Sequence, residues 1–245
     1  MSELVLVGTS DAFGSGGRRQ SAYLLRAPSG GVLIDCGQTT GTGLAQIGIS
    51  RDEIDLILVS HFHADHFGGI PLFLLAALYQ DARKHPILIA GPPEIESRVR
   101  MAAHALGHPL EGPAWGFPIL FQELPAGAER ELGPVRVRAF QTRHSPEAHP
   151  HGVVLEAEGR RVSYSGDTGW FDELPAAVNG SELLLCECTF VEPCYEYHLS
   201  LGELALRREE FDCGRILLTH LGEEMRGRTE HAGFEIADDG RVLKL

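Results

Sequence analysis

The chain has 245 residues, 43% of them hydrophobic, and its 21 basic and 34 acidic residues give a formal net charge of -13. A chain of this length buries enough apolar surface to fold without a structural metal, and five cysteines, an odd number, do not suit a disulfide framework. The acidic balance argues against a nucleic-acid-binding protein unless a local basic patch is present. The sequence shows neither a signal peptide nor a membrane-spanning apolar stretch, so we expect a single cytoplasmic domain over residues 1–245.

The first half of the chain is predicted to alternate strands with helices. Runs rich in leucine and β-branched residues indicate the strands, and proline marks the start of two helices. The predicted strands are Glu3–Val7, Ser21–Arg26, Val32–Cys36, Asp55–Val59 and Pro86–Ala90. The predicted helices are a short one that begins at Ser50, one from Pro71 to Gln80 and one from Pro92 or Pro93 to Leu106. Residues 107–118 are predicted to form a loop that faces the substrate.

The second half repeats the order of strands followed by helices, which predicts two similar halves packed on one core. The predicted strands are Val135–Thr142, Gly152–Ala157, Arg161–Ser165, Leu183–Cys186 and Arg215–Thr219. The predicted helices are Asp172–Val178 and one from Ser200 to about Phe211, where Ser200 and Glu203 have the spacing of a capping box. A terminal hairpin is predicted between Phe234–Ala237 and Val242–Leu245, because the turn residues Asp-Asp-Gly lie between them.

A dense group of metal-binding residue types follows the predicted strand Asp55–Val59. Three imidazoles and one carboxylate, from His61, His63, Asp65 and His66, fall within six residues. His61 and His63 are two residues apart, so on extended backbone they point the same way and can bind one metal ion. Asp65 and His66 then turn the corner and can bind a second ion. Imidazole and carboxylate ligands suit zinc, iron or manganese.

This segment, His-Phe-His-Ala-Asp-His, matches the H-x-H-x-D-H signature of the metallo-β-lactamase superfamily, which the chain resembles over nearly its whole length. The other motifs occur in the family's order. Asp35 resembles the aspartate that supports the metal loop, and Asp167 in Ser-Gly-Asp-Thr resembles the aspartate that bridges two metals. His144 and His220 are similar to the remaining ligands. The resemblance implies an α/β fold, the four-layer αβ/βα sandwich.

The resemblance also implies two divalent metal ions, which we expect to be zinc, with manganese or iron as alternatives. One ion is expected to be bound by His61, His63, His144 and Asp167, and the other by Asp65, His66, His220 and Asp167. A hydroxide that bridges the two ions is expected to act as the nucleophile at neutral pH. Because Asp65 holds the second ion, we expect turnover to depend on it.

Further motifs resemble the ribonuclease Z and phosphodiesterase branch of the superfamily. The opening loop from Gly8 to Gly14, followed by Arg18 and Arg19, is similar to the loop of that branch. Glu187 in Cys-Glu-Cys-Thr and His198 in His-Leu-Ser are similar to its H-E-A-T and H-S-T segments, with cysteines in place of the histidine and alanine. In that branch the glutamate orients the histidine, which helps to protonate the leaving oxygen.

We expect a phosphodiesterase whose substrate is a small phosphodiester, cyclic or nucleotide-derived. The chain lacks the long basic arm with which ribonuclease Z holds tRNA, so tRNA 3′ processing is the first alternative. A lactone or carboxyl-ester hydrolase on the same metals is the second, and a sensor or scaffold without activity is the third. A homodimer is expected by analogy with the branch. The C-x-C pair Cys186 and Cys188, with Cys194, is either a zinc knuckle or part of a buried strand.

Overall fold

The computed structural model describes residues 2–111, 115–225, 227–228, 230–231 and 233–245. Within them the chain forms fifteen strands and six α-helices. The strands are β1 (Glu3–Gly8), β2 (Ala22–Ala27), β3 (Gly30–Ile34), β4 (Leu56–Leu58), β5 (Ile87–Gly91), β6 (Ile119–Glu123), β7 (Glu129–Leu132), β8 (Val135–Gln141), β9 (His151–Ala157), β10 (Arg160–Tyr164), β11 (Leu183–Glu187), β12 (Arg215–Thr219), β13 (Glu230–His231), β14 (Phe234–Ile236) and β15 (Val242–Lys244). The helices are α1 (Thr40–Gln46), α2 (Ala64–Phe67), α3 (Ile70–Tyr79), α4 (Ile95–Ala105), α5 (Leu174–Val178) and α6 (Leu201–Leu206).

The strands form two mixed sheets. The first has the order β15-β1-β2-β3-β4-β5-β6 and the second β13-β14-β12-β11-β10-β9-β8-β7. From β1 to β6 and from β7 to β12, the early strands pair antiparallel and the later ones parallel, with the change at β3–β4 in the first sheet and at β10–β11 in the second. This agrees with the prediction of two similar halves.

Alternation along the strands explains why the sheets pack face to face. On β1, Leu4 and Leu6 lie in the core between the two sheets, whereas Val5 and Val7 lie in the core between the first sheet and its helices. The second sheet is likewise covered on its outer side, where Leu174 of α5 and other apolar residues of the helical layer pack. The predicted four-layer αβ/βα sandwich is therefore confirmed.

The predicted terminal hairpin is wrong. Phe234–Ile236 pairs with β12 and β13 in the second sheet, whereas Val242–Lys244 pairs with β1 in the first sheet. The residues between them cross from one sheet to the other, and the amide of Gly240 donates to the carbonyl of Leu6 at 2.7 Å. The turn residues correctly indicated a change of chain direction. The two segments nevertheless pair with strands distant in the sequence, β14 with β12 and β15 with β1, and not with each other.

Five elements were not predicted, namely α1, α2, β6, β7 and β13. Two glycines, Gly41 and Gly43, lower the helix propensity of α1, which forms because Leu44 is buried against the sheet. The strand β6 lies at the edge of the first sheet and has no fully buried residue, so its sequence lacks a clear hydrophobic pattern. Tertiary contacts therefore decide α1 and β6.

Two other segments differ from the predictions in extent. The capping box of Ser200 and Glu203 is present, but α6 ends at Leu206 and a 3-10 turn, Arg208–Glu210, follows it. Of the predicted substrate-facing loop 107–118, residues 112–114 lie outside the described residues. Phe117 of that loop is buried against the helix-side core of the first sheet. No helix among the described residues is both long and apolar enough to cross a membrane.

The candidate site residues lie where strands from both sheets end. Carboxyl ends of parallel strands share an edge of a sheet, and here the two sheets bring such edges together. Asp35 follows β3 and His61 follows β4 in the first sheet, while in the second sheet the residues at or just after strand ends are His144 (β8), Asp167 (β10), Glu187 (β11) and His220 (β12).

Candidate metal centre

The turn after β4 folds the histidine cluster into a compact group. His63 is extended (φ -82°, ψ 148°) and precedes α2, whose first turn contains Asp65 and His66. The ring nitrogens His61 Nε2 and His63 Nδ1 lie 3.2 Å apart. Extended backbone followed at once by helix therefore directs the two pairs of side chains toward two neighbouring positions, as the spacing predicted.

The first group of potential ligands consists of His61, His63, His144 and Asp167, whose ligand atoms lie within 4.8 Å of one another. His144 Nε2 is 3.0 Å from His63 Nδ1, although the two residues are 81 positions apart in the chain. Asp167 Oδ2 lies 3.7 Å from His61 Nε2 and 3.9 Å from His144 Nε2. Three imidazoles and a carboxylate thus converge as a four-ligand metal site requires.

The second group consists of Asp65, His66, Asp167 and His220. Asp167 Oδ2 is 3.3 Å from both His66 Nε2 and His220 Nε2. Asp65 Oδ2 is 3.1 Å from His66 Nε2 and 3.3 Å from His220 Nε2. Asp167 is the one residue that these two groups share, so its carboxylate can contact an ion in either group.

Two buried atoms of this centre support metal binding. Among the described residues Asp167 Oδ1 has no hydrogen-bond partner, and His66 Nε2, although carboxylate oxygens lie near it, makes no hydrogen bond. A buried polar group without a partner is costly, and a divalent cation would satisfy both atoms. The donor set of imidazole nitrogens and carboxylate oxygens suits zinc, manganese or iron.

The electrostatics of the centre differ between the two ligand groups. Burial holds the pKa of His61 well below its usual range, which keeps the imidazole neutral. Burial by itself would raise the pKa of Asp167, but His220 and His66 outweigh it and hold that pKa well below its usual range. In the first group, a neutral His61 beside an ionised Asp167 can bind a cation without first losing a proton. In the second group, burial by itself would lower the pKa of His66 and His220, but neighbouring carboxylates, Asp167 first among them, outweigh it and raise both pKa values, so these two imidazoles release protons when they bind a cation.

Asp35 orients the turn after β4 and the ligand His66 through hydrogen bonds. It is fully buried, and its Oδ2 accepts hydrogen bonds from His66 Nδ1 at 2.7 Å and from the Ser60 hydroxyl at 2.8 Å. These bonds fix the ring of His66 with Nε2 turned toward Asp65 and Asp167. Asp35 has φ +58°, a conformation costly for a residue with a side chain, which the surrounding contacts maintain.

The second-sheet ligands are oriented by residues that the sequence analysis did not single out. His220 Nδ1 donates to Thr189 Oγ1 at 2.9 Å, and His144 Nδ1 donates to the carbonyl of Tyr197 at 3.0 Å. Thr189 lies two residues after Glu187. Because such residues point to the same side of an extended backbone, this spacing could have identified Thr189 as a site residue. Tyr197 acts through its backbone, so its side-chain identity carries no signal.

Glu187 and His198 form a hydrogen-bonded pair beside the centre. His198 Nδ1 donates to Glu187 Oε1 at 2.9 Å, and the buried Glu187 also accepts from the amide of Thr168 at 2.8 Å. The ring of His198 stacks on that of His220, with centroids 5.3 Å apart and planes inclined by 10°. Burial lowers the pKa of His198, but the carboxylate of Glu187 more than compensates and raises it to about 9. A charged imidazolium is thus held next to the candidate metal ligands.

The structure brings all nine of the predicted site residues into this one centre. The cysteines are elsewhere: Cys186 and Cys188 are buried among apolar residues of the second sheet's helix-side core, and Cys194 is exposed. Within the described part of the chain, no group able to hold a metal contains a cysteine. The buried-strand interpretation of the C-x-C pair fits the structure, and the zinc knuckle does not.

The sequence model of the family described as Anti-Pycsar protein Apyc1 matches residues 2–237. The anti-Pycsar protein Apyc1 of Paenibacillus harenae is 32% identical over 235 residues, which cover 92% of this chain and 93% of that protein. Ribonuclease Z of Mycobacterium bovis is 26% identical over 275 residues, covering 98% and 96% respectively. The solved structure of the short form of human tRNase Z has a TM-score of 0.81 at 22% identity and covers 99% of this chain and 98% of that one. The chain is therefore a metal-dependent hydrolase that belongs to the Apyc1 family, in the ribonuclease Z-like branch of the metallo-β-lactamase superfamily.

Proposed function

We propose that this hydrolase is a phosphodiesterase that cleaves small, nucleotide-derived phosphodiesters, cyclic ones in particular. The observation that carries the proposal is the Glu187–His198 pair. A phosphodiester releases an alkoxide, which is a poor leaving group unless it receives a proton. His198 carries a proton at neutral pH because Glu187 stabilises its charged form. The ring of His198 stacks on that of His220 with the centroids 5.3 Å apart, so the protonated imidazole lies next to a candidate metal ligand.

Two ions would occupy the two ligand groups described above, with Asp167 between them. When bound, divalent ions supply a nucleophile by lowering the pKa of water, and they stabilise negative charge on a phosphoryl group. The chain's own contribution is to hold the ligands rigidly: Asp35 aims His66, Thr189 aims His220, and the carbonyl of Tyr197 aims His144. We propose zinc as the native metal, with manganese or iron as alternatives.

Three observations favour a small substrate over tRNA. The net charge of -13 disfavours a polyanion. Two arginines of the second sheet are paired with acidic residues, Arg136 with Glu131 at 2.9 Å and Arg160 with Glu182 at 2.7 Å, so their charges are not free to bind a polyanion. The match to ribonuclease Z spans 275 aligned positions for 245 residues, so at least 30 positions have no counterpart in this chain.

The proposal is tested by the leaving-group dependence of a His198→Ala variant. With metal-loaded protein, the variant should lose about 100-fold or more in turnover of 3′,5′-cyclic AMP, whose leaving oxygen needs a proton. Its turnover of bis(p-nitrophenyl) phosphate should change far less, because p-nitrophenolate leaves without one. His104→Ala, at an exposed histidine of α4, serves as the matched control. Equal losses on both substrates would refute the role of His198 as proton donor.

The same preparation separates the alternatives. Cleavage of a precursor tRNA at its 3′ trailer, at a rate exceeding that for cyclic nucleotides, would favour ribonuclease Z. A lactone hydrolase should turn over a lactone and lose little activity in His198→Ala, because a metal-held ester releases its alcohol without depending on this pair. Protein that holds two metals and cleaves no phosphodiester contradicts the proposal.

A further inference from the structure

A cavity of about 350 Å³ opens directly beside the Glu187–His198 pair, and the proposed proton transfer from His198 does not by itself require it. His198 forms one wall, and the other walls include Arg143, Trp170, Tyr195 and Glu196. We infer that this cavity binds the nucleoside portion of the substrate, with the ring of Tyr195 as the surface on which the base stacks. The inference rests on the proposed function and specifies its substrate as a nucleotide, held by the base as well as by the phosphate.

The position of His198 determines which part of a substrate enters the cavity. As the proton donor, His198 must contact the leaving oxygen, and the group that carries this oxygen continues away from the phosphorus. Since His198 also lines the cavity, the leaving group lies on the cavity side of the metal centre. In a 3′,5′-cyclic nucleotide the leaving oxygen belongs to the ribose, so ribose and base follow it inward. The volume lies within the range of small-molecule sites, roughly 300–1,000 Å³.

Tyr195 is the aromatic residue of the cavity whose ring is available for stacking. Its side chain is 53% exposed, and its ring centroid lies 6.0 Å from that of His198. Trp170, by contrast, is already engaged, because the guanidinium of Arg207 lies 4.3 Å over its ring and its Nε1 donates to Asp172. Trp170 therefore serves as a wall. The ring of Tyr195 contacts that of Tyr197 at 5.4 Å with the planes inclined by 79°, but Tyr195 is more exposed than Trp170 and offers the larger free surface.

The segment that carries Tyr195 is anchored to the metal centre. The carbonyl of Tyr197 accepts from His144 Nδ1, and the carbonyl of Tyr195 accepts from the amide of His198 at 3.2 Å. Gly169 lies so close to this segment that a Cβ there would be 1.8 Å from the carbonyl oxygen of Glu196. The ring of Tyr195 is thus held at a fixed distance from the ligands, as a preformed binding site requires.

The polar edge of the cavity comes from Arg143 and Glu196, which are both about half exposed and 2.8 Å apart. A guanidinium and a carboxylate side by side can bond both donors and acceptors of a ribose or a base. Stacking itself depends little on the identity of the base, since every base has an aromatic face. We therefore expect the site to accept purines and pyrimidines, with purines bound more tightly because their rings are larger.

Binding to the metal-loaded protein tests the inference without relying on turnover. Wild type should bind adenosine 5′-monophosphate more tightly than ribose 5-phosphate, which has the same phosphate and sugar but no base. Tyr195→Ala should weaken binding of the nucleotide by about 5- to 150-fold, the usual range for one base–aromatic stack, and leave ribose 5-phosphate unchanged. Tyr195→Phe should retain the wild-type preference. Tyr79→Ala, at an exposed tyrosine of α3, is the matched control.

Kinetics provide the second measurement and separate the two proposals. For 3′,5′-cyclic AMP, Tyr195→Ala should raise KM by a similar factor and leave kcat nearly unchanged. Hydrolysis of the cyclic phosphate of 1,3-propanediol, a diester without ribose or base, should be unaffected. Unchanged nucleotide binding in Tyr195→Ala, or equal weakening with and without a base, overturns the stacking site. Normal base-dependent binding in a protein that cleaves no diester would overturn the phosphodiesterase instead.

Discussion

The two sheets contribute to the metal centre in different ways. The first sheet supplies four ligands from one short turn, His61 to His66, between β4 and α3. The second sheet supplies His144, Asp167 and His220 from the ends of three different strands. The difference shows that one half of the site is a local motif, which needs only a strand and a turn, whereas the other half exists only when β8, β10 and β12 are aligned.

The supporting contacts follow the same division. In the first sheet, one residue, Asp35, contacts both the turn, through the amide and hydroxyl of Ser60, and the ligand His66. In the second sheet, His144 and His220 have separate supports, the carbonyl of Tyr197 and the hydroxyl of Thr189. Damage to the first support should therefore affect several ligands, and damage to the second only one.

The largest expected effect comes from Asp167→Ala, because this residue belongs to both ligand groups. We expect the variant to lose both metals and its turnover to fall by on the order of 10³-fold or more, since the bound ions supply the nucleophile. Metal content per chain is measured by elemental analysis after dialysis. Asp212→Ala, at an exposed aspartate, is the control. Two tightly retained ions in Asp167→Ala would refute the shared-ligand arrangement.

An intermediate effect should distinguish the supports of the two sheets. Asp35→Asn should weaken metal binding by about 10- to 100-fold, since it alters the partner of His66 and the turn of Ser60 together. Thr189→Val should be nearer the lower end of that range, because His220 alone loses its partner. Competition with a chelator measures both affinities. A larger loss in Thr189→Val than in Asp35→Asn would contradict the proposed division between the sheets.

The smallest effect on the metal centre itself is expected from His151, whose amide donates to the carbonyl of Ser60 at 3.1 Å and so joins the second sheet to the first-sheet turn. Burial lowers the pKa of His151 to about 4. In the unfolded chain the imidazole takes up a proton below about pH 6.5, whereas in the folded chain it stays neutral down to about pH 4. Stability is therefore full above pH 6.5 and falls as the pH drops toward 4, by at most about 3 kcal/mol.

His151→Gln tests this pH dependence, because glutamine does not titrate. The free energy of unfolding of wild type and variant is measured by urea denaturation at pH 7.5 and at pH 5.0. The stability of the variant should fall less between the two values than that of wild type. Acid loss of metal affects both proteins equally and cancels in the comparison. Identical pH profiles would show that His151 is not the source of the sensitivity.

The sequence by itself determined the group of ligands in the first half of the chain and the positions of most strands. His61, His63, Asp65 and His66 could be assigned to two ions because neighbouring residues on extended and helical backbone have fixed directions. The strand β4 before them was predicted because its residues are uniformly apolar. Short-range geometry of this kind is present in the sequence itself.

Only the tertiary structure decided which distant residues meet and how they are held. The separation of 81 positions along the chain says nothing about the 3.0 Å between His63 Nδ1 and His144 Nε2. Likewise, the turn residues before β15 could not reveal that β14 and β15 belong to different sheets. The resemblance to a family suggested the distant ligands, but the supports at Thr189 and Tyr197 and the cavity beside His198 come from packing. The physical reason is that backbone pairing and burial are satisfied by any suitable partner in space, and proximity along the chain does not specify which partner that is.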